Sequence, residues 1–367
     1  MSTISLCMIV KNESSILGRC LSSISPAVDE IIIVDTGSTD HTKEIAKAYN
    51  ATIYDFPWND NFSDARNFSF SKASMDYCMW MDADDIITEE NLEKLLSLKA
   101  SLSPRTDIVM FQYAAGFSKD GTPTFLYYRE RLIRNHAGFL WQGPVHECIT
   151  PSGNIVYSDI IIEHHRPDKR SHSKRNLEIY EKSLKQGTIL SPRDKLYYAR
   201  ELMASERLED AKTYFIEVIY DKNAWIENQI EACRNLSACF LSLGQEDDAL
   251  EALFKSFTFD CPRAETLCDL GDIFKRQKRY TEAIYWYKLA LKCEENIENG
   301  GFTDRDRHGY YPCVQLCSCY FLSVNPQESY RYHKMSGQWH TDTPEYQYNE
   351  TFFRSHFPQM FKAAKHM

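Results

Sequence analysis

Residues 30–35, Glu-Ile-Ile-Ile-Val-Asp, are the sequence feature that most limits the fold. Four consecutive apolar residues, all β-branched, are typical of a parallel strand that is buried on both faces, because no polar residue alternates with them. The next stretch, TGSTDHTKEIAKAY (36–49), indicates a tight turn that opens into a helix. The pair predicts one strand–helix unit of an α/β sheet.

The neighbouring segments repeat this order. Strands are predicted at ISLCMIV (4–10), TIYDF (52–56) and YCMWM (77–81), and helices at 12–24 and from about residue 64. Strand–helix–strand order in this rhythm predicts an open, mostly parallel sheet with helices on both faces. In such sheets ligands bind at the carboxyl ends of the strands.

Polar residues gather at that edge. Asp35 ends the second strand, and Asp82, Asp84 and Asp85 follow the fourth. Three carboxylates within four positions repel one another and are costly to desolvate, so a cation between them is one explanation. The other is that they cap the helix that begins near Glu89, just as DTGSTD alone would make a good helix start. The two clusters on one edge favour a site.

Four stretches in this part of the chain carry a resemblance to a known family. MIVKNE (8–13), IIIVDTGSTDHT (31–42), FSDARNFSF (62–70) and WMDADD (80–85) closely resemble family 2 glycosyltransferases of the GT-A fold group. The resemblance covers about the first 165 residues, with the motifs in the family's order and spacing. It implies a Rossmann-like α/β nucleotide-sugar domain over residues 1–170.

The resemblance also implies a nucleotide-sugar site, with a UDP-linked sugar as the expected donor. The implied donor-binding residues are Val10, Glu13, Asp35, Gly37, Ser38, Asp40, Arg66, Asp82, Asp84 and Trp141. Asp35 is expected at the uracil or ribose and Glu13 near the base, while Arg66 pairs with phosphate or orients Asp82. Mn²⁺ or Mg²⁺ bound by an Asp-x-Asp pair would neutralise the leaving diphosphate. Asp84 is expected to bind the metal directly, and Asp82 to bind the ribose or share the metal.

The segment GFLWQGPVHECI (138–149) supplies the candidate general base. Inverting sugar transfer needs one carboxylate to take the acceptor proton, and in related enzymes a carboxylate beside Pro or Gly occupies this place, so Glu147 is expected to be catalytic. Alternatively, Glu147 pairs with Arg129, Arg131 or Arg134 and only shapes the loop. Trp141 is expected either to form a sugar-stacking wall or to be a core residue.

The strand SDIIIEHH (158–165) ends in two histidines. In GT-A enzymes a histidine near the end of the catalytic domain often completes the metal shell, and strand alternation points only one of this pair toward the site. His164 fits the pattern better than His165. The predicted metal ligands are therefore Asp82, Asp84 and His164.

The second half of the chain is predicted to be helical and repetitive. Residues 196–219, 233–257 and 267–291 superimpose, with key alanines Ala211, Ala249 and Ala283, and the last two are 34 residues apart. That period is typical of tetratricopeptide units. Residues 313–336 resemble a degenerate fourth unit and 295–308 a loop. We expect an all-α tetratricopeptide-like domain over 171–340 and a tail over 341–367 that docks on the array or on a partner.

Composition limits the partners and the compartment. The net charge of −10 argues against a general nucleic-acid binder. No apolar run reaches the roughly 20 residues of a membrane span, and the first residues lack a secretory signal pattern. No pair among the 12 cysteines shows zinc spacing and most of them lie in apolar patterns, which predicts packing thiols in a reducing cytoplasm.

Two classes of function are consistent with these features. The first is a metal-dependent inverting glycosyltransferase whose repeats hold a peptide or protein acceptor or form a homodimer. Its acceptor could instead be a cell-surface glycan or a lipid-linked molecule. The second is a repeat-based binding protein with an inactive transferase domain. The intact carboxylates favour the first class.

Overall fold

The computed structural model describes residues 2–119, 121–165, 174–295 and 300–363, and the side chains of 361–363 are not described. The chain divides into two compact units: residues 1–116 with 126–205, and residues 117–125 with 206–367. The boundary expected at residue 170 lies outside the described residues and stays a prediction. Residues 174–205, assigned to the repeats from sequence, have their contacts in the first unit.

The first unit is built on a sheet of eight strands in the order β3-β2-β1-β4-β7-β6-β8-β5. Its strands are β1 Ile4–Val10, β2 Glu30–Asp35, β3 Thr52–Asp55, β4 Tyr77–Trp80, β5 Asp85–Ile86, β6 Ile108–Phe117, β7 Pro123–Arg134 and β8 Ile155–His164. The pairs among β1 to β4 are parallel, as predicted. Beyond β4 the sheet is mixed, because β4–β7 and β5–β8 are antiparallel and β6–β8 is parallel.

Helices cover this sheet because their apolar stripes need a partner. They are α1 Leu17–Ile24, α2 Thr42–Ala48, α3 Phe62–Phe70, α4 Glu89–Ser101, α5 Arg175–Lys185 and α6 Pro192–Ala204. Leu17 and Leu21 of α1 join Leu6 and Met8 of β1 in the main core. The α6 helix begins at a capping box, in which the Ser191 side chain and Asp194 satisfy each other's backbone N–H groups.

The second unit contains a series of helices, as predicted. These are α7 Leu208–Tyr220, α8 Ile226–Ser242, α9 Glu246–Ser256, α10 Ala264–Arg276, α11 Tyr280–Ala290, α12 Tyr310–Leu322, α13 Pro326–Ser336, α14 Pro344–His356 and α15 Pro358–Ala363. Ala249 and Ala283 are fully buried, which is the role the repeat pattern requires. Within the segment 295–308, expected to be a loop, the structure forms a short strand β9 (Thr303–Asp304) and a 3₁₀ turn (Arg305–His308).

The described part of the predicted tail forms α14 and α15, and α14 lies against the preceding helix. Tyr346 and Phe353 of α14 are buried, and their rings contact His333 of α13 at centroid distances of 4.6 and 5.4 Å. All 12 cysteines lie in described segments as free thiols; nine are buried, in agreement with the packing interpretation, whereas Cys261 is exposed. Among the described helices, every one is too short or too polar to traverse a lipid bilayer.

Candidate active site

Asp35 lies at the carboxyl end of β2 and is almost fully buried. Its Oδ1 accepts hydrogen bonds from the backbone N–H groups of Gly37 and Ser38, at 3.0 and 2.9 Å. Gly37 allows this turn because its φ is +107°, a conformation that other residues rarely adopt. The buried Oδ2 has no hydrogen-bond partner among the described residues. An unpaired buried acceptor is costly, so this oxygen is suited to accept a bond from a ligand.

The loop after β1 lies beside Asp35. Val10 and Asp35 are register partners at the ends of two parallel strands. The hydroxyl of Ser38 accepts from the backbone N–H of Asn12 at 2.9 Å. Asn12 has a positive φ of 57°, so the chain turns sharply before Glu13. The structure therefore brings the predicted donor-binding residues of β1 and β2 to one edge.

Asp40 connects the same two loops. Its Oδ2 accepts from the Ser14 backbone N–H at 3.1 Å, and its Oδ1 accepts from the Thr42 backbone N–H at 3.0 Å. The Thr42 hydroxyl accepts from the Glu13 backbone N–H at 2.8 Å. The hydrogen bonds from Thr42 and Ser14 hold the pKa of Asp40 below its usual range. The two carboxylate oxygens of Asp40 thus join the loop after β1 to the loop after β2, and these loops carry the other predicted donor-binding residues.

Asp82, Asp84 and Asp85 follow β4, as expected. The helix-cap explanation does not apply to them, because Thr88 caps α4 by accepting from the Asn91 backbone N–H. Asp84 is 7% exposed, while the side chain of Asp82 is about one-third exposed. Burial raises the pKa of Asp84, and the two neighbouring carboxylates raise it further. Three acidic groups therefore lie close together, and the negative charge of Asp84, the middle one, has little compensation.

Asp85, which is not among the predicted metal ligands, is the most buried of the three and has the most hydrogen bonds. Its Oδ1 accepts from the Tyr113 hydroxyl at 2.8 Å and lies 3.0 Å from His164 Nδ1. Its Oδ2 accepts from Arg131 Nη1 and from the Asp82 backbone N–H, each at 3.0 Å. Burial alone would raise the pKa of Asp85, but Arg131 and His164 outweigh it and lower the pKa to about 2. Asp85 is therefore ionised in its folded setting.

The two histidines after β8 take different positions. His164 pairs in register with Asp85, and its Nδ1 lies 3.5 Å from Asp84 Oδ1. His165 Nε2 lies 2.8 Å from Glu163 instead. The structure thus places His164, and not His165, beside the acidic group, as strand alternation predicts.

Asp84, Asp85 and His164 each offer one potential ligand atom, and these atoms lie within 4.8 Å of one another. This group differs from the predicted set by one residue, since Asp85 replaces Asp82. Two carboxylates and an imidazole form a donor set that suits Mn²⁺, while Mg²⁺ favours the oxygen ligands among them. The residues present therefore fit a divalent cation.

Arg66 connects the predicted base with the Asp-x-Asp motif. Its Nε donates to Glu147 Oε1, and its Nη2 donates to Asp82 Oδ1 at 2.7 Å. The guanidinium lies 4.7 and 4.8 Å from the ring centroids of Trp80 and Trp141. Burial would lower the pKa of Arg66, but the two carboxylates outweigh it and raise the pKa, so the group stays charged. Its Nη1 is buried with no hydrogen-bond partner in the described part of the chain.

The alternative expectation was that the Glu147 carboxylate pairs with Arg129, Arg131 or Arg134. Arg129 pairs with Glu130 and reaches Glu147 through its backbone carbonyl, to which Nη2 donates at 3.3 Å. Arg131 pairs with Asp85 and Arg134 with Asp107. The carboxylate of Glu147 instead pairs with Arg66, from which it is separated by 81 residues in sequence. Only the tertiary structure reveals this partner.

Trp141 is a core residue in this structure. It is 3% exposed and packs edge-to-face on Trp80 and Phe70, at centroid distances of 5.1 and 5.8 Å. Its backbone carbonyl accepts from the side chain of Asn67. The structure therefore supports the second of the two expectations for Trp141. Its contribution to the site is to support Arg66.

Arg131 and Tyr113 are site residues that sequence reasoning did not identify. Both contact Asp85, and Arg131 is fully buried with its guanidinium 3.6 Å from the Trp80 ring centroid. The signal for Arg131 was its place in YYRERLIR, where three consecutive charged residues lie between two tyrosines and an apolar pair. Nothing in the sequence singles out Tyr113 from the other tyrosines.

This chain is similar to known proteins over part of its length. Residues 5–161 match the model of glycosyl transferase family 2. A TPR repeat-containing protein of Synechococcus elongatus is 36% identical over 152 residues, which are 41% of this chain and 36% of that protein. The SPbeta prophage-derived glycosyltransferase SunS of Bacillus subtilis is 27% identical over 230 residues, or 58% of this chain and 52% of that protein. The chain thus spans about a third to a half of the length of these relatives.

A solved structure is also similar to part of the chain. The glucosyl-3-phosphoglycerate synthase of Mycobacterium tuberculosis, in complex with Mn²⁺, uridine diphosphate and phosphoglyceric acid, is 27% identical. The alignment covers 30% of this chain and 43% of the synthase, with a TM-score of 0.27. The family match runs from β1 into β8; it includes Asp35, Asp82, Asp84, Asp85 and Glu147 and ends before His164. The first unit of this chain therefore contains a glycosyltransferase domain of family 2, and a helical repeat region follows it.

Proposed function

We propose that this chain is a metal-dependent, inverting glycosyltransferase that moves a sugar from a UDP-linked donor to a peptide or protein acceptor held by the helical repeats. The observation that carries the proposal is the link from Glu147 through Arg66 to Asp82. One buried cation holds the proposed base and the proposed donor-binding carboxylate together. A domain that had lost catalysis would have no reason to keep three costly carboxylates and their partners in one place.

The β1–β2 edge is the proposed nucleotide pocket. The unpaired Oδ2 of Asp35 is assigned to the uracil or the ribose, both of which offer hydrogen-bond donors. Gly37 and Ser38 keep Asp35 in place through their backbone N–H groups, and Asp40 secures the loop that carries Glu13. In this assignment the nucleotide donates the hydrogen bond that Oδ2 of Asp35 lacks in the described part of the chain.

Asp84 and His164 are the proposed ligands of Mn²⁺ or Mg²⁺, with Asp82 bound to the ribose or sharing the metal. When bound, the cation supplies positive charge that stabilises the leaving diphosphate. Asp85 is already engaged on both oxygens, so its proposed role is to hold His164. A carboxylate behind a ligating histidine fixes the ring's orientation and tautomer.

Glu147 is the proposed general base. Its carboxylate accepts the proton of the acceptor nucleophile while the acceptor atom forms a bond to the anomeric carbon. The bond from that carbon to the diphosphate oxygen breaks, and the nucleoside diphosphate leaves with the electron pair. Arg66 keeps Glu147 directed toward the Asp-x-Asp motif, which places the base where the acceptor must approach.

The helical repeats are the proposed acceptor-binding part. Stacked helix pairs of this type present extended surfaces that suit peptides. Charged side chains form ion pairs on α8 and α10, the first helices of two successive pairs. Arg234 of α8 pairs with Asp269 of α10 at 2.8 Å, and Asp269 also pairs with Arg307 of the 3₁₀ turn at 3.2 Å. Such groups can exchange partners with a polar peptide backbone.

The test of activity is a hydrolysis and transfer screen over nucleotide sugars, with Mn²⁺, with Mg²⁺ and with chelator. We expect UDP-sugar turnover that chelation abolishes. Asp84→Asn should reduce turnover by at least about 100-fold, because it removes a negative charge that binds the cation. Glu147→Gln should abolish transfer and leave donor affinity within about 3-fold, because the base acts only on the acceptor. Asp159→Asn, an exposed carboxylate of β8 paired with Lys94, is the matched control and should behave as wild type.

Full turnover in chelator, or near-normal turnover of Asp84→Asn, would contradict the metal assignment. Loss of donor binding in Glu147→Gln would place Glu147 in the donor pocket and the base elsewhere. The acceptor class is tested by incubating the protein with labelled donor and a lysate of its source cells. Label in the protease-sensitive fraction supports a protein acceptor, whereas label in the lipid or glycan fraction selects the other acceptor class.

A further inference from the structure

The loop that carries Glu147 is short and closed at its base. Gln142 and Cys148 form an antiparallel bridge, with backbone hydrogen bonds of 2.9 and 3.1 Å in the two directions. Five residues, 143–147, form the loop between them. On one side the start of α3 holds it, because the Phe62 backbone N–H donates to the Pro144 carbonyl at 3.0 Å and the Ser63 hydroxyl donates to the Gly143 carbonyl.

On the other side α5 and α6 hold the loop. The hydroxyl of Tyr180, a fully buried residue of α5, donates to the Val145 carbonyl at 3.2 Å. Arg193 of α6 donates from Nε and Nη2 to the His146 carbonyl, each at 3.4 Å. The approach is close, since a Cβ on Gly143 would lie 2.9 Å from Asp194 Oδ1. These two helices, which sequence assigned to the repeats, therefore contact the proposed base's loop within the first unit.

His146 has an unusual backbone and a well-defined ring position. Its φ is +53°, a left-handed conformation that costs a non-glycine residue about 1 kcal/mol. Its ring nevertheless stacks on Tyr197 of α6, with centroids 4.2 Å apart and planes at 17°. Its Nε2 lies 3.3 Å from Glu201 Oε1, which also accepts from the side chain of Asn176 at 3.0 Å. The stack and the contact with Glu201 stabilise a conformation that the backbone alone disfavours.

The left-handed turn at residue 146 has a consequence for the next side chain. His146 is exposed and directed toward α6, whereas Glu147 is 8% exposed and directed toward Arg66. A turn between the two residues makes both directions possible. If residue 146 returned to an ordinary backbone conformation, the Glu147 carboxylate would move away from Arg66 and Asp82.

We propose that the His146–Tyr197 stack is a positioning device for Glu147: α6 holds the ring of residue 146, and the resulting backbone turn directs the base into the site. The inference rests on the proposed role of Glu147. His146 and Tyr197 are positioning residues in this scheme, and neither touches the substrate. Ring stacking is the essential property, so an aromatic residue without a titrating nitrogen should replace His146.

The experiment compares three variants of the full chain. His146→Ala removes the ring that holds residue 146 in the disfavoured backbone position; we expect kcat for transfer to fall about 10- to 100-fold, which is the scale of a misplacement near 1 Å. The Kd for UDP with Mn²⁺, measured by calorimetry, should stay within about 2-fold because the donor pocket is intact. His146→Phe keeps the stack and should restore kcat to within about 3-fold of wild type.

The matched control is His136→Ala. His136 is also an exposed histidine of the first unit with a positive φ, 57°, and no ring contact is described for it. The same substitution in the same backbone conformation should leave kcat unchanged, which separates loss of the stack from the effect of alanine at a left-handed position.

Two results would overturn the inference. A kcat of His146→Ala equal to wild type would show that the stack does not position the base. A His146→Phe as inactive as His146→Ala would show that ring stacking is not the property that matters at residue 146. Glu147→Gln, measured alongside, keeps the two proposals apart: if it is inactive while His146→Ala is normal, only the positioning inference fails, and if it is active, the base assignment fails first.

Discussion

Replacing Arg131 by Met should destabilise the first unit strongly. Arg131 and Asp85 are both fully buried and their charged atoms lie 3.0 Å apart. Removing one partner of such a pair typically costs about 3–5 kcal/mol, because the remaining charge is buried without compensation. Arg131 also donates to the Trp80 carbonyl at 3.0 Å, and that acceptor would lose its partner. Against this, Nε and Nη2 of Arg131 have no hydrogen-bond partners among the described residues, so their removal recovers part of the cost. We therefore expect a loss of about 3 kcal/mol.

The same strand supplies a matched control. Arg134 of β7 pairs with Asp107 at 3.1 Å, but its side chain is 33% exposed. Pairs at the surface contribute about 0–1 kcal/mol, so Arg134→Met should cost at most about 1 kcal/mol. The double variant Asp85→Asn with Arg131→Met removes both charges and should recover about 2 kcal/mol of the loss, because no charge is left buried.

The assay is native-state hydrogen exchange followed by mass spectrometry, with opening free energies taken from peptides that cover β4 and β7. These strands lie next to each other in the sheet and report opening of its centre. A loss below about 1 kcal/mol in Arg131→Met would refute the reasoning. So would a double variant that is no more stable than the single one.

Two further predictions concern the helical unit. Gly271→Ala places a Cβ 2.5 Å from the Tyr287 ring, which is fully buried, so overpacking should cost about 1–3 kcal/mol and outweigh the roughly 0.5–1 kcal/mol gained in helix propensity. A lower urea midpoint is expected, whereas Gly18→Ala, whose nearest contact would be 3.7 Å, should show none. Separately, burial lowers the pKa of His333 although Glu350 lies 2.7 Å away, so the unfolded chain binds the proton more readily. The second unit should therefore lose stability as the pH falls from 7.5 to 5.5, and the His333→Gln variant should lose less stability over the same range. Thermal melting measures this, and an equal dependence of the melting temperature on pH in both proteins would contradict the prediction.

Local patterns in the sequence carry much of the fold. The run at 30–35 and the repeat of Ala249 and Ala283 predict a buried parallel strand and packed helix pairs, and the structure confirms both. These predictions succeed because burial imposes a periodicity that can be read along the chain. The mixed half of the sheet was not predicted, because pairing between distant strands such as β4 and β7 leaves no local signal.

The candidate site divides in the same way. Asp35, Asp82 and Asp84 were identified from sequence because each lies at the carboxyl end of a predicted strand, and the topology brings such positions to one edge. His164 was chosen from the family resemblance and from strand alternation. The pairing of Glu147 with Arg66, the burial of Arg131 and the contact of α6 with the Glu147 loop depend on residues tens of positions apart. The interaction energy of two charges depends on their distance in space and is larger in the low-dielectric interior. That distance is determined only when the chain has folded. The sequence by itself therefore determined which groups reach the site's edge, and the tertiary structure alone decided which of them are paired, and which helices hold the proposed base in position.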